Sequence, residues 1–337
     1  MASSANTPLA ALAFRALEPL GIRPKTRLRA PFLPPVGARV AGMLKAREYD
    51  NLRFTVSRLH RDSLHSAADA LIDSLDKDEK SEQWLERLWD WYGDKKEANA
   101  RVMLIHGLIA HGWRKHQAEK NEAAREAFEE ADKLLEAAIA AQPDFIDLLC
   151  LRLTTSRALN LAASEHWNRF RGLLAVDAEN YRGHLLMLEN LSPRWGGSTE
   201  AMFRFARARA AQVPEGCAVR ALVVNAHFEA YEQLRRETGG KPEAYFATRE
   251  LAYEVEDAWR ESVDSPNFHD DSNAEALYNL FAAALFMVDL RELARTALTA
   301  MDGHCLEYPW RLLAGSSKEQ ANVGWVVDRV SAGLDSE

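Results

Sequence analysis

Apolar positions recur with a helical period over most of this chain. The clearest case is Asn121–Ala141, where Ala124, Phe128, Ala131, Leu135 and Ala138 step by 4, 3, 4 and 3 residues and form one stripe. The same periodicity predicts helices over residues 49–75, 81–92, 98–118, 145–160, 164–175, 181–190, 199–211, 218–236, 242–261, 273–286, 290–300 and 317–330. No stretch of period two longer than a few residues competes, so the expected fold class is all-α. The stripe ends at Gln142-Pro143-Asp144, and comparable stops stand at residues 176–180 and 212–216. From Pro143 to Ala178 is 35 residues, and from Ala178 to Pro214 is 36, which points to repeated helix pairs.

The first 42 residues break this pattern. Six of the twelve prolines fall within the first 35 residues, and each removes a backbone donor, so no long helix fits there. We read residues 1–42 as a basic proline-rich arm, extended except for a short helix over 9–17, and residues 43–337 as the helical-repeat domain. Charge sharpens the division. Residues 1–61 hold eleven Lys and Arg against three Asp and Glu, leaving 31 basic against 47 acidic in the remainder. An acidic body disfavours nucleic acid as a partner. Opposite charge predicts instead that the arm packs back along the helical array. Arg23, Lys25, Arg27 and Arg29 within it form a weak polybasic signal.

The period is close to that of tetratricopeptide helix pairs, and Ala131, Leu135, Ala138 and Pro143 carry the small, large, small, proline spacing of a tetratricopeptide second helix. The expected architecture is therefore a tetratricopeptide-like α-solenoid of antiparallel helix pairs. The least ordinary stretch is residues 191–198, LSPRWGGS. With Glu200-Ala201-Met202 and Phe205-Ala206 it resembles the PRWGGS signature of a bacterial family known as domain of unknown function 4034. Residues 46–52 resemble that family's opening helix, and His111-Gly112-Trp113 its small-Gly-Trp segment. The resemblance covers about residues 43–310, leaves out the arm, and implies a tetratricopeptide-like fold with no assigned chemistry.

Within the motif, Pro193 ends a helix, Gly196 and Gly197 permit backbone angles closed to other residues, Ser198 is placed to cap the next helix, and Trp195 to fold onto neighbours. Gly-Gly-Ser-Thr opening a helix beside Arg194 is also a candidate anion site.

Other chemistry is sparse. Cys150, Cys217 and Cys305 form no pair and read as buried free thiols, which suits a reducing cytoplasm. His106, His111 and His116 stand five apart, as do His60 and His65, off the i, i+4 spacing of a helical metal site. The loop 269–271 lacks the length of a calcium loop. No phosphate loop, nucleophile elbow or dinucleotide fingerprint occurs, and no apolar run is long enough to span a membrane. Trp84 and Trp91, one heptad apart, read as core.

The expected function is a non-catalytic cytoplasmic protein, without metal or cofactor, that binds another polypeptide through a concave groove. Arg152, His184 and Asn225, with Arg194 and Trp195 nearby, are the positions expected to line it. The alternative is an enzyme or small-molecule binder with Arg194 holding an anionic group and His184 or His106 as acid or base.

Overall fold

A computed structural model describes residues 25–28, 34–59, 64–76, 80–240, 242–268 and 273–335. The expected helix over 9–17, Arg23, Arg29, His60 and the loop 269–271 lie outside them. The described chain is helical apart from one two-residue parallel pairing, Arg27–Leu28 (β1) with His304–Cys305 (β2). It divides into two compact units, residues 30–190 and residues 191–337, the latter including the described residues 25–28.

The 30–190 unit contains α1 (Pro34–Lys45), α2 (Tyr49–Ser57), α3 (Leu64–Asp76), α4 (Ser81–Lys95), α5 (Ala98–Gln117), α6 (Asn121–Ala141), α7 (Ile146–Ala158), α8 (Ala163–Val176) and α9 (Tyr181–Asn190). Two expectations change. Helix α1 begins inside the segment assigned to the arm, because Pro34 and Pro35 fall in its first turn, where a missing N–H has no helical partner to lose. The single helix expected over 49–75 is two, since Arg58 and Leu59 close α2 with short-range bonds to Thr55 and Val56 (3.4 and 3.1 Å).

Each helix from α4 to α9 packs on its sequence neighbour, and α3, α5, α7 and α9 also pack on one another in turn. The unit therefore has two rows, with α3, α5, α7 and α9 in one and α4, α6 and α8 in the other. Its core is continuous through Trp84, Leu88, Trp91, Met103, Leu104, Phe128, Leu135 and Leu148. Each such side chain contributes about 1.5–3 kcal/mol on burial. The whole α6 stripe read from sequence is buried. Gly112 explains how closely α5 and α6 approach: a Cβ there would stand 2.5 Å from Phe128 Cε1. Phe128 also meets the Trp113 ring edge-on at 4.9 Å.

The second unit opens with a 3-10 turn at Pro193–Trp195, followed by α10 (Thr199–Ala210), α11 (Leu222–Thr238), α12 (Arg249–Glu261), α13 (Ala274–Met287), α14 (Arg291–Ala300), α15 (Trp310–Leu313), α16 (Ser317–Ala321) and α17 (Gly324–Asp335). Helices expected over 218–236 and 242–261 begin instead with 3-10 turns at Ala218–Ala221 and Glu243–Ala247. Thr248 separates the latter from α12, its hydroxyl accepting the Leu251 N–H at 3.3 Å. The helix expected over 317–330 breaks at Asn322, which is extended and accepts the Gly324 N–H on its Oδ1 at 2.9 Å. Asn279 in α13 is fully buried because its Oδ1 accepts from Trp310 Nε1 (2.8 Å) and Leu306 N (3.0 Å), which ties residues 306–310 to that helix.

The one described piece of the arm before Pro34 lies on this second unit. Besides the β1–β2 pairing, the backbone N–H groups of Lys25 and Thr26 donate to the Asp328 carboxylate of α17 at 2.6 and 2.9 Å.

Candidate functional site

The α3, α5, α7, α9 row of the first unit is crossed by a ladder of charged side chains, one from each helix. Asp69 Oδ1 of α3 lies 3.6 Å from His106 Nδ1 of α5. His106 Nε2 meets Asp147 Oδ2 of α7 at 3.1 Å, and Arg182 Nη1 of α9 donates to Asp147 Oδ1 at 2.6 Å. Signs alternate along the ladder. Burial opposes a charge on His106, but the carboxylates of Asp147 and Asp69 outweigh it and raise its pKa to about 9. The imidazole is therefore a cation at neutral pH, hydrogen-bonded through Nε2 to Asp147 and facing the Asp69 carboxylate through Nδ1.

His106 and Asp147 are enclosed, whereas the side chains of Arg182 and Asp69 at the two ends are 30% and 34% exposed. The ladder thus ends on two partly exposed side chains, an arginine held by Asp147 and an aspartate beside His106. Such preorganisation lowers the ordering cost of binding. Of the four residues, the sequence reading singled out only His106. A signal was present: Asp147 follows Pro143 by four residues and Arg182 follows Ala178 by four, so they hold the same place after two successive stops.

A second network fixes the row behind it. Arg169 of α8 binds Asp132 of α6 in bidentate fashion (2.7 and 2.9 Å) and donates to Glu165 Oε1 (2.9 Å) and the Arg152 carbonyl (2.8 Å). Burial alone would raise the Asp132 pKa, yet hydrogen bonds from Arg169 and Thr155 lower it.

The residues expected to line a groove are placed differently from one another. Arg152 lies half-buried on α7, where its carbonyl is taken by Arg169. His184 on α9 is fully buried, with Nδ1 at 2.7 Å from the Asn180 carbonyl and its ring edge-on to Phe170 at 5.1 Å. Asn225 in α11 is buried and donates to the Ala221 carbonyl at 3.1 Å. His184 and Asn225 therefore offer no exposed polar group, because each sits on the packed side of its helix. Asn225, Arg194 and Trp195 also belong to the second unit, apart from Arg152 and His184.

At the PRWGGS loop, Arg194 is exposed with its guanidinium 5.2 Å above the Trp195 ring centre. Four of the loop's backbone donors bond within the loop itself. Trp195 and Gly197 both donate to the Ser192 carbonyl (3.0 Å each), Gly196 to Pro193 (3.3 Å) and Ser198 to Leu191 (3.0 Å). Ser198 caps α10 as expected, accepting from Ala201 N at 3.1 Å. Gly196 takes φ +85°, and a Cβ on Gly197 would fall 2.0 Å from the Leu191 carbonyl oxygen. The motif is a tight turn held by its own backbone bonds, with Arg194 exposed beside it.

The second unit holds another polar cluster that the sequence reading missed. His227 of α11 lies 3.0 Å from the Tyr245 hydroxyl through Nδ1 and 2.9 Å from Glu254 Oε2 through Nε2. Arg207 of α10 binds both oxygens of Glu254 (2.6 and 3.0 Å). Burial would raise the Glu254 pKa, but hydrogen bonds from His227 and Arg207 bring it down to about 2. Burial pushes the Tyr245 phenol up to about 12. The cluster ties α10, α11 and α12 to one another and to the 3-10 turn that carries Tyr245.

Of the cysteines, Cys150 and Cys305 are buried and Cys217 half-buried. Burial pushes the Cys150 and Cys305 thiols up to about 12, so neither is a thiolate nucleophile at neutral pH. Among the described residues, no group of three or more His, Cys, Asp or Glu is placed to hold a metal, and no helix is long and apolar enough to cross a membrane. No family model matches the chain, and neither a curated protein nor a solved structure was found to match it.

Proposed function

We propose that this chain is a non-catalytic, tetratricopeptide-like helical-repeat protein that binds another polypeptide along the α3, α5, α7, α9 row of its first unit. The observation that carries the reading is the Asp69–His106–Asp147–Arg182 ladder, a polar line spanning four successive helices of one row. A ligand that uses such a line is extended, and a peptide offers the matching carboxylates, ammonium groups and amides. Arg182 is the anchor for an acidic residue of the partner, and Asp69 the anchor for a basic one.

The two-row packing and the 35- and 36-residue spacing support a solenoid of antiparallel helix pairs. Membership of the PRWGGS family and a cytoplasmic setting belong to the same proposal. The turn around Arg194 serves architecture in this reading, since four of its backbone donors bond within the turn.

Selection from a random peptide display library on the intact protein tests this. The expected result is a set of extended peptides with a shared acidic position whose binding falls in Arg182→Gln. Selection of no peptide, or of peptides indifferent to that substitution, overturns it.

A further inference from the structure

We propose that a cavity at one end of the first unit is a binding site for a phosphomonoester. The cavity measures about 390 Å³ and is lined by Lys80, Ser81, Glu82, Arg114, Lys115, Ala118 and Lys120. Four cations against one carboxylate give the lining a charge of +3, matched to a tetrahedral dianion better than to a single carboxylate. A volume of this size leaves room for an organic substituent on the phosphate.

Ordinary helix electrostatics accounts for two of the cations. Arg114 and Lys115 lie in the last turn of α5, where they offset the charge of its terminal carbonyls. Arg114 also spans the Trp84 ring at 5.6 Å and donates to the Ala110 carbonyl at 2.9 Å. Lys80 and Lys120 have no such explanation. Each is the N-cap residue of a helix, α4 and α6 respectively, where Asp, Ser or Asn is favoured and a cation faces the positive end of the dipole. Neither makes a side-chain capping bond, both are exposed, and both line the same cavity. Two misplaced lysines converging on one space are explained by an anion between them.

The site already holds an internal stand-in. Glu82 is ion-paired with Lys115, and hydrogen bonds from Lys115 and from its own backbone N–H bring its pKa down to about 2. Its carboxylate thus remains charged at any physiological pH and competes with an incoming anion for Lys115. On the floor, the buried Ser81 hydroxyl is 2.9 Å from His111 Nδ1, which holds it in place. None of these residues belongs to the charge ladder, so the site stands or falls separately from the polypeptide reading.

Calorimetric titration of the full chain at fixed ionic strength, with inorganic phosphate, free phosphoserine and a phosphoserine peptide, tests the proposal. Saturable one-site binding of phosphate and phosphoserine is expected, and the peptide arm tells whether the ester comes from a small molecule or a protein side chain. Lys80→Ala/Lys120→Ala should weaken phosphoserine about tenfold, a change of about 1.4 kcal/mol, while Glu82→Gln should tighten it several-fold. Lys120→Ala alone serves if the double variant melts below the parent. Absence of saturable binding, phosphate binding without phosphoserine binding, equal affinity in the lysine variants, or weakening in Glu82→Gln would each overturn it.

Discussion

His106 Nε2 lies 3.1 Å from Asp147 Oδ2, between helices α5 and α7, with both residues closed off from solvent. The pair makes the stability of the first unit depend on pH. The His106 pKa rises from 6.5 in the unfolded chain to about 9 in the folded one, so its contribution is complete below pH 6.5 and lost as pH climbs through 9. The upper bound on that loss is about 3 kcal/mol. Urea unfolding read on α5 peptides by pulsed hydrogen exchange should show a falling midpoint between pH 6.5 and 9.5. His106→Gln should flatten that dependence, and an unchanged slope in the variant would contradict the ion pairing.

In the second unit the dependence has the opposite direction. Glu254 is held at about 2 against an ordinary value of 4.5, so the stability it provides is present above pH 4.5 and lost as pH falls towards 2. Glu254→Gln should unfold earlier than the parent at neutral pH and show a shallower loss on acidification, measured by urea midpoints from pH 5 to 2.5. Parallel curves for the two proteins would place the acid sensitivity elsewhere.

Arg194, Gly196 and Gly197 of the PRWGGS turn should respond differently to alanine. Gly197→Ala drives a Cβ into the Leu191 carbonyl and should cost about 3 kcal/mol, since backbone cannot move aside cheaply. Gly196→Ala meets open space but strains φ +85°, at about 1 kcal/mol. Arg194→Ala removes only an exposed stack on Trp195, worth about 0.5–1 kcal/mol. Thermal denaturation orders them, and an Arg194 effect as large as that of Gly197 would assign the arginine a structural role that its exposure does not explain.

The contact of residues 25–28 with the second unit rests on Asp328, whose carboxylate takes two backbone N–H groups. Asp328→Ala should speed hydrogen exchange at Lys25 and Thr26 and expose the segment to trypsin, with α13 exchange unchanged. Equal protection in both proteins would mean that the β1–β2 pairing holds the segment unaided.

Much of the helical content was legible in the sequence, because burial of one face imposes a period that propensity and stops then frame. The stripe of α6 and the core positions Trp84 and Trp91 followed directly from spacing. The break between α2 and α3, the 3-10 turns before α11 and α12, and the helix from Pro34 did not, since a local turn at Arg58 or Thr248 leaves the hydrophobic period intact. The site was less legible still. His184 and Asn225 look like groove residues because they are polar residues on helices, yet each is buried and bonds the carbonyl four residues back, at Asn180 and Ala221. Asp147 and Arg182 look like ordinary surface charges until the packing of α7 on α9 brings them together. Charge pairing across helices leaves no local mark on a single sequence.

In the proposed function, Arg182 pairs with an acidic residue of a bound polypeptide. A double-mutant cycle reads it most directly, pairing Arg182→Gln with Glu→Gln or Asp→Asn at the shared acidic position of a selected peptide. The glutamine keeps a donor for Asp147 while removing the charge. A coupling of at least about 1 kcal/mol is expected, with the two single changes failing to add. Strict additivity, with the acidic peptide losing the same affinity in both backgrounds, would contradict it.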